Sequence, residues 1–229
     1  MEKISKAYAD PASLNSFKNG RVDEEGKAMK TTYSNLQNPE KNAYKLELLK
    51  EQFYLCAYCN KLLSDDEENL HHLKIEHWYP QHFCETEMHY GTIEGLDLNH
   101  SNLLIVCDGE SANPRYRHCD SSRTPGTKLK VKPQDTDYNF FLTFKYEGTT
   151  LVTADEDIHN DINDELNLNH DDIKYKRRIA LDMFRKLIFG IGKGSVNKEA
   201  LLNKYSNPFK DGRKAEYCTL FVNEINNNI

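Results

Sequence analysis

The chain has 229 residues, 38% of them hydrophobic, enough for one compact domain or two small ones. No apolar run approaches the ~20 residues needed to cross a bilayer, and the first residues lack the basic start and apolar run of a secretion signal, so we expect a soluble, cytoplasmic protein with no membrane partner. The six cysteines are too few for a disulfide scaffold, and the net charge of −6, from 36 acidic and 30 basic residues, sets the overall field against a polyanion, so any nucleic-acid contact has to be local.

Residues 1–37 are polar and weakly periodic, with turn signals at Asp10-Pro11 and Asn19-Gly20, and read as an arm or loosely packed edge. Asn38-Pro39 then offers a cap and a proline at the first helical position. Tyr44, Leu48, Leu49 and Phe53 follow at helical spacing, which predicts a helix delivering the chain to Cys56. Residues 73–78 read as a short strand stopped by Pro80, residues 102–107 as a second strand, and a helix is expected after Cys119. Residues 140–146, the turn Glu147-Gly148 and residues 151–153 read as a β-hairpin. Asn169 is placed as the cap of a helix with Ile173, Ala180, Leu181, Phe184, Leu187 and Ile188 on one face and Gly190 as terminator. Shorter helices are expected over 197–205 and 213–226. The class is α+β: a small metal-bearing centre over 38–132, between the arm 1–37 and a hairpin plus helical region over 133–229.

Charge is uneven along the chain. Arg115, Arg117, Arg123, Lys128, Lys130 and Lys132 lie close together with Asp120 the only acid among them, while acidic runs occupy 65–68 and 155–172. Such runs ordinarily form solvated faces, and the basic stretch gains meaning only from what it adjoins.

What it adjoins is a set of cysteines. Cys56-Ala57-Tyr58-Cys59 has the spacing that lets two thiolates of one tight turn meet a tetrahedral ion. Cys107 and Cys119 are the candidates for the second pair, with His118 as the alternative fourth ligand, and zinc is the ion such soft donors select. Cys84 and Cys218 read as small apolar core residues. A Cys-x-x-Cys redox role finds no surrounding βαβ pattern to support it.

Between and beside the cysteines stand Ile75-Glu76-His77-Trp78-Tyr79-Pro80, then Asn102-Leu103-Leu104-Ile105-Val106-Cys107, then His118-Cys119-Asp120-Ser121-Ser122-Arg123. Phosphodiester hydrolysis needs a base to activate water, a hard cation to neutralise growing charge, and groups to hold both in line. His77 suits the base, Glu76 and Asp120 offer the oxygen ligands that Mg²⁺ or Mn²⁺ prefers, and Arg123 could grip a phosphate oxygen of the substrate. The other histidines, His71, His72, His82, His89, His100, His159 and His170, read as ordinary surface or core residues, and Trp78 and Tyr79 as core.

This pattern resembles the HNH, or ββα-metal, endonucleases: an acid-His pair followed by a proline, an Asn-Leu pair five residues before a cysteine, and a His or Asn directly after the last zinc cysteine, a position where this chain departs by having Asp120. The resemblance implies that Glu76 and Asp120 bind the catalytic metal, that His77 activates water, and that Asn102 tethers the hairpin that orients His77. Leu48-Leu49-Lys50-Glu51-Gln52 before the first cysteine pair, the His118-Cys119-Asp120 step and Leu166-Asn167-Leu168-Asn169 before a basic helix resemble more narrowly the HNH anti-phage effectors of Septu and retron-associated systems. That implies a DNA substrate, an ABC-type ATPase subunit (PtuA-like) as partner and, in some systems, a retron reverse transcriptase with its DNA-RNA product. The rival reading is a zinc-stabilised adaptor that binds nucleic acid or an ATPase without cutting.

Overall fold

Tyr44, Lys45, Leu48 and Leu49 form the buried side of helix α2 (Glu40–Glu51), and what that side covers is a two-stranded sheet. Strands β1 (Lys74–His77) and β2 (Leu103–Val106) pair antiparallel, with Glu76 opposite Leu104 and His77 opposite Leu103. Gln52 joins helix to sheet: its side chain accepts from Ile105 N at 2.8 Å and donates to Ile105 O at 2.8 Å, supplying β2 with the two bonds a neighbouring strand would have made. The computed structural model describes residues 1–7, 9–20, 22, 24–26, 31–86, 95–190 and 196–229. His89, read from sequence as an ordinary histidine, lies outside them.

The start of α2 differs from expectation. Pro39, not Asn38, stands at the cap position, without a side-chain cap bond. Phe53 lies beyond the helix, where it and Tyr54 adopt positive φ and turn the chain into the first cysteine pair. The arm is also better anchored than its polarity suggested. It contains helix α1 (Ala12–Gly20), and Met1, Ile4, Leu14, Phe17 and Leu36 are all buried in the main core. Glu47 of α2 accepts from Ser13 N at 3.2 Å and from the Ser13 hydroxyl, so a carboxylate borrowed from α2 satisfies the positive end of α1.

A four-residue helix α3 (Glu67–Leu70) precedes β1, and α4 (Gln81–Thr86) follows Pro80. No α-helix starts directly after Cys119. The chain makes a single 3-10 turn, Cys119–Ser121, because Pro125 disfavours helical geometry at Thr124 and Gly126 takes a positive φ.

Downstream, residues 140–143 are not strand but a helical turn, α5 (Phe140–Thr143), because the Asn139 side chain caps Phe141 N at 3.0 Å. The hairpin is shorter than expected, β3 (Lys145–Glu147) with β4 (Thr150–Val152). Helix α6 (Glu156–Asn160) and a π-turn occupy part of the acidic run, and Asp161 there is buried, accepting from Lys130 N at 2.7 Å and Val131 N at 2.8 Å.

Asn169 does not cap the long helix α7 (Asp171–Gly190). Its amide instead bonds both ways with Leu151, at 2.9 and 2.8 Å, holding the hairpin, while His170 Nδ1 accepts from Ile173 N at 3.5 Å. Ile173, Leu181, Phe184 and Ile188 are buried, but Leu187 is half exposed and continues an outer ridge with Tyr175, Ile179 and Met183. Helices α8 (Lys198–Ser206) and α9 (Cys218–Asn228) close this end, with Phe184 stacked on Phe221 at 4.7 Å. The whole is a mixed helix and small-sheet fold, and among the described residues no helix is long and apolar enough to cross a membrane.

Candidate metal centre and active site

The turn after α2, the end of β2 and the 3-10 turn at Cys119 bring four thiols together. Cys56, Cys59, Cys107 and Cys119 are all buried, and their sulfurs lie within 4.8 Å of one another. Cys56 and Cys119 are 3.8 Å apart, as are Cys59 and Cys107. A tetrahedral ion with Zn–S bonds of ~2.3 Å separates its sulfurs by about 3.8 Å, so the four donors fit a zinc ion in both chemistry and spacing. His118 is not the fourth member. Its Nε2 approaches Cys107 Sγ at 3.7 Å from outside while Nδ1 faces the Tyr116 carbonyl at 3.1 Å.

Local geometry explains how distant cysteines meet. Asn60, at φ 61, closes the knuckle by donating its N–H to Cys56 O at 3.1 Å, and Cys107 N points at Cys56 Sγ at 3.4 Å. Cys119 itself is held at φ 54, its N–H bonded to Leu166 O at 2.9 Å. Asn167 donates to the Arg115 and Arg117 carbonyls at 3.0 and 2.8 Å. The Leu166–Asn169 stretch therefore fastens the ligand loop, the hairpin and the C-terminal helices to one another.

Beside this centre, and sharing the Cys119 turn with it, lies a cavity of about 340 Å³ whose wall includes Tyr33, Glu76, His77, Asp120 and Arg123. The sequence-predicted residues are thus neighbours in space. His77 is 6% exposed, and its Nε2 lies 2.9 Å from the Asp97 carbonyl. Because a carbonyl only accepts, Nε2 carries the hydrogen and Nδ1 keeps its lone pair. Burial pushes the imidazole below its ordinary value, against a smaller opposing pull from Asp97, so the ring is neutral at pH 7.

Asn102 is 3% exposed. Its Oδ1 accepts from Tyr79 N at 2.6 Å, and its Nδ2 donates to the Tyr79 and Leu96 carbonyls, each at 3.1 Å. It is not among the residues that line the cavity. It ties the turn leaving β1 to the segment that presents Asp97 to His77.

Glu76 is almost fully buried, and its Oε1 accepts from Arg123 Nη1 and, at 3.3 Å, from the Tyr58 hydroxyl. Burial pushes its carboxyl up to about 8; Arg123 pulls the other way, and the nearby Asp120 carboxyl adds to the rise. Asp120 is more open and pairs with Lys74 Nζ at 3.2 Å. Two carboxyls thus meet at one wall of the cavity, Glu76 paired with Arg123 and Asp120 with Lys74.

Arg123 corrects an expectation. Rather than reaching outward for phosphate, its guanidinium is 93% buried as a side chain and bonds Glu76, the His77 and Trp78 carbonyls at 2.9 Å each, and the Thr127 carbonyl. These bonds use the planar fork to knit β1 to the 3-10 turn. Lys130 is also engaged, pairing with Asp155 at 2.8 Å and Asp157 at 3.1 Å.

Sequence reading missed Tyr33, Asp97, Tyr58 and Lys74. Asp97 acts through its backbone carbonyl, which any residue carries, and Tyr33 comes from the arm. Compared with family models and with curated proteins, the chain matches none.

Proposed function

We propose that this chain is a metal-dependent endonuclease of the HNH type, with a structural zinc at Cys56, Cys59, Cys107 and Cys119. The observation that supports it best is the cavity in which a neutral, tautomer-fixed His77 shares a wall with the Glu76 and Asp120 carboxyls. His77 Nδ1 takes a proton from water as the water oxygen bonds to phosphorus, and the bond from phosphorus to the leaving oxygen breaks. Mg²⁺ or Mn²⁺ held by Glu76 and Asp120 would neutralise charge on the phosphate and on that leaving oxygen. Asn102 keeps the turn after β1 in register, and Arg123 fixes the backbone at His77.

DNA as substrate, an ABC-type ATPase as partner and a place in anti-phage defence, with or without a retron reverse transcriptase, belong to the same proposal and rest on the resemblance of the motifs. A second reading, a non-catalytic zinc-stabilised adaptor, is favoured by one observation: Arg123 already neutralises Glu76. A cleavage assay on plasmid, single-stranded DNA and tRNA, with Mg²⁺ or Mn²⁺ and with or without the ATPase, decides between them. Metal-dependent cutting lost in His77→Ala supports the nuclease. No cutting under any of these conditions supports the adaptor.

A further inference from the structure

The N-terminal arm contributes Tyr33 to the wall of the cavity, beside Ile75, Glu76 and His77 of β1. Tyr33, on a short 3-10 turn (Tyr33–Asn35), sets its ring against the His77 imidazole, centroids 4.4 Å apart and planes at 85°. Its hydroxyl donates to Ile75 O at 3.3 Å, and its backbone N–H donates to Asp97 Oδ2 at 2.9 Å. Asp97 in turn offers its carbonyl to His77 Nε2 at 2.9 Å. The three residues close a ring of contacts: His77 to Asp97 by the carbonyl, Asp97 to Tyr33 by the carboxylate, Tyr33 to His77 by its ring.

We propose that Tyr33 and Asp97 are positioning residues for His77, a clamp through which the N-terminal arm fixes the imidazole's orientation and tautomer. A buried imidazole held by one hydrogen bond can still rotate about that bond. An aromatic edge-to-face contact on the other side blocks the rotation, and anchoring Tyr33 to the residue that binds Nε2 makes the two restraints move together. A base misplaced by about 1 Å loses on the order of 10²-fold in rate, so the clamp acts on turnover and not on substrate affinity. The catalytic part of this inference rests on the nuclease reading; the part about the state of the imidazole does not.

Two measurements on the zinc-loaded 229-residue chain test it. In the first, ¹⁵N-edited spectra of the imidazole nitrogens report which one of His77 is protonated. Wild type and Tyr33→Phe are expected to show the Nε2–H form alone, whereas Tyr33→Ala and Asp97→Ala show exchange between tautomers. In the second, kcat and KM are measured on whichever substrate wild type cuts. Tyr33→Ala is expected to lower kcat about 10- to 100-fold with KM within about two-fold, and Tyr33→Phe to recover most of the rate. Should Tyr33→Ala lose its zinc or its fold, Tyr33→Leu, which keeps apolar volume without the aromatic edge, is read in its place. An unchanged single tautomer in the ring-deleted variants overturns the clamp, as does equal loss of kcat in Tyr33→Phe and Tyr33→Ala, which would assign the effect to the hydroxyl. If wild type cuts nothing, the nuclease reading fails by itself and the ¹⁵N pattern alone decides the clamp.

Discussion

Cys119 and Asp120 are adjacent in the chain but serve two centres: the Cys119 sulfur is buried among the three other thiols, while Asp120 lines the cavity that holds His77 and Glu76. The positive φ of Cys119, 54°, turns the backbone between them. One 3-10 turn therefore sets the distance from the zinc thiols to the candidate catalytic wall, and a change in either centre is carried to the other by a single peptide bond.

Replacing Cys119 with Ser is expected to release zinc and unfold the chain, because a structural tetrahedral site supplies folding free energy directly, ~10 to 16 kcal/mol in small zinc peptides. His118→Ala should keep one zinc per chain. Elemental analysis of both variants checks this; retained zinc in soluble Cys119→Ser together with loss in His118→Ala would reverse the assignment of the fourth ligand.

His77→Ala is expected to lower cleavage by ~10²- to 10⁴-fold with zinc content and circular dichroism unchanged, since His77 lies outside the thiol cluster. Wild-type turnover in this variant would remove His77 as the base.

Arg123→Met should be among the most destabilising single changes outside the cysteines. It leaves Glu76 buried beside Asp120 without its cation, and breaking a buried pair in this way costs about 3–5 kcal/mol. Glu76→Gln, which removes the charge and keeps an acceptor for the guanidinium, should cost clearly less. Urea unfolding of the two variants measures the difference, and equal stability would show that the guanidinium is not fixed by Glu76.

Acid should weaken the attachment of the arm. Burial alone would push the Glu51 carboxyl up, but His100 Nε2 at 2.8 Å and Lys6 Nζ at 2.6 Å outweigh it and hold it below the ordinary carboxylate range. A carboxyl depressed in the folded state contributes stability that is fully present above its unfolded value, ~4.3, and is lost as pH falls through the folded one. Glu51→Gln should therefore be less stable than wild type at pH 7, and the gap should close on acidification below about pH 4. A gap that stays constant with pH would exclude the linkage.

How much of this could be read beforehand follows the physics of each signal. Thiols at Cys56 and Cys59 announce themselves because metal geometry constrains their spacing, and residues 102–107 are branched and apolar enough to be read as a strand. Asn102 sits where the hairpin needs an amide. The rest depends on backbone groups and long-range packing. Asp97 acts through a carbonyl, and Tyr33 reaches His77 from a stretch whose buried residues Met1, Ile4, Leu14, Phe17 and Leu36 are too scattered to show a period. Asn169 is a good cap by residue type, yet bonding with Leu151 held it elsewhere. Arg123 looked like an anion binder because guanidinium suits phosphate, but the same fork suits three carbonyls and a carboxylate equally well.

The long spacing between the last two thiols also has an explanation in Gly109. His118 N bonds Gly109 O at 3.1 Å, and a Cβ at this glycine would stand 1.9 Å from the His118 carbonyl oxygen, so the two strands of the loop are cinched against each other just inside the two cysteines. Between the cinch and the Arg115 and Arg117 carbonyls that Asn167 holds, residues 110–114 are a spacer that supplies none of the four thiols. Its length is a free variable: doubling such a loop adds only about 0.6 kcal/mol of closure entropy. A pattern that counts residues between ligands would reject lengthened versions of this chain even though their metal geometry is identical, whereas the crossing glycine, at φ 60 and with no room for a side chain, is the position that cannot change. In this part of the molecule the invariant is a contact and the spacing is incidental.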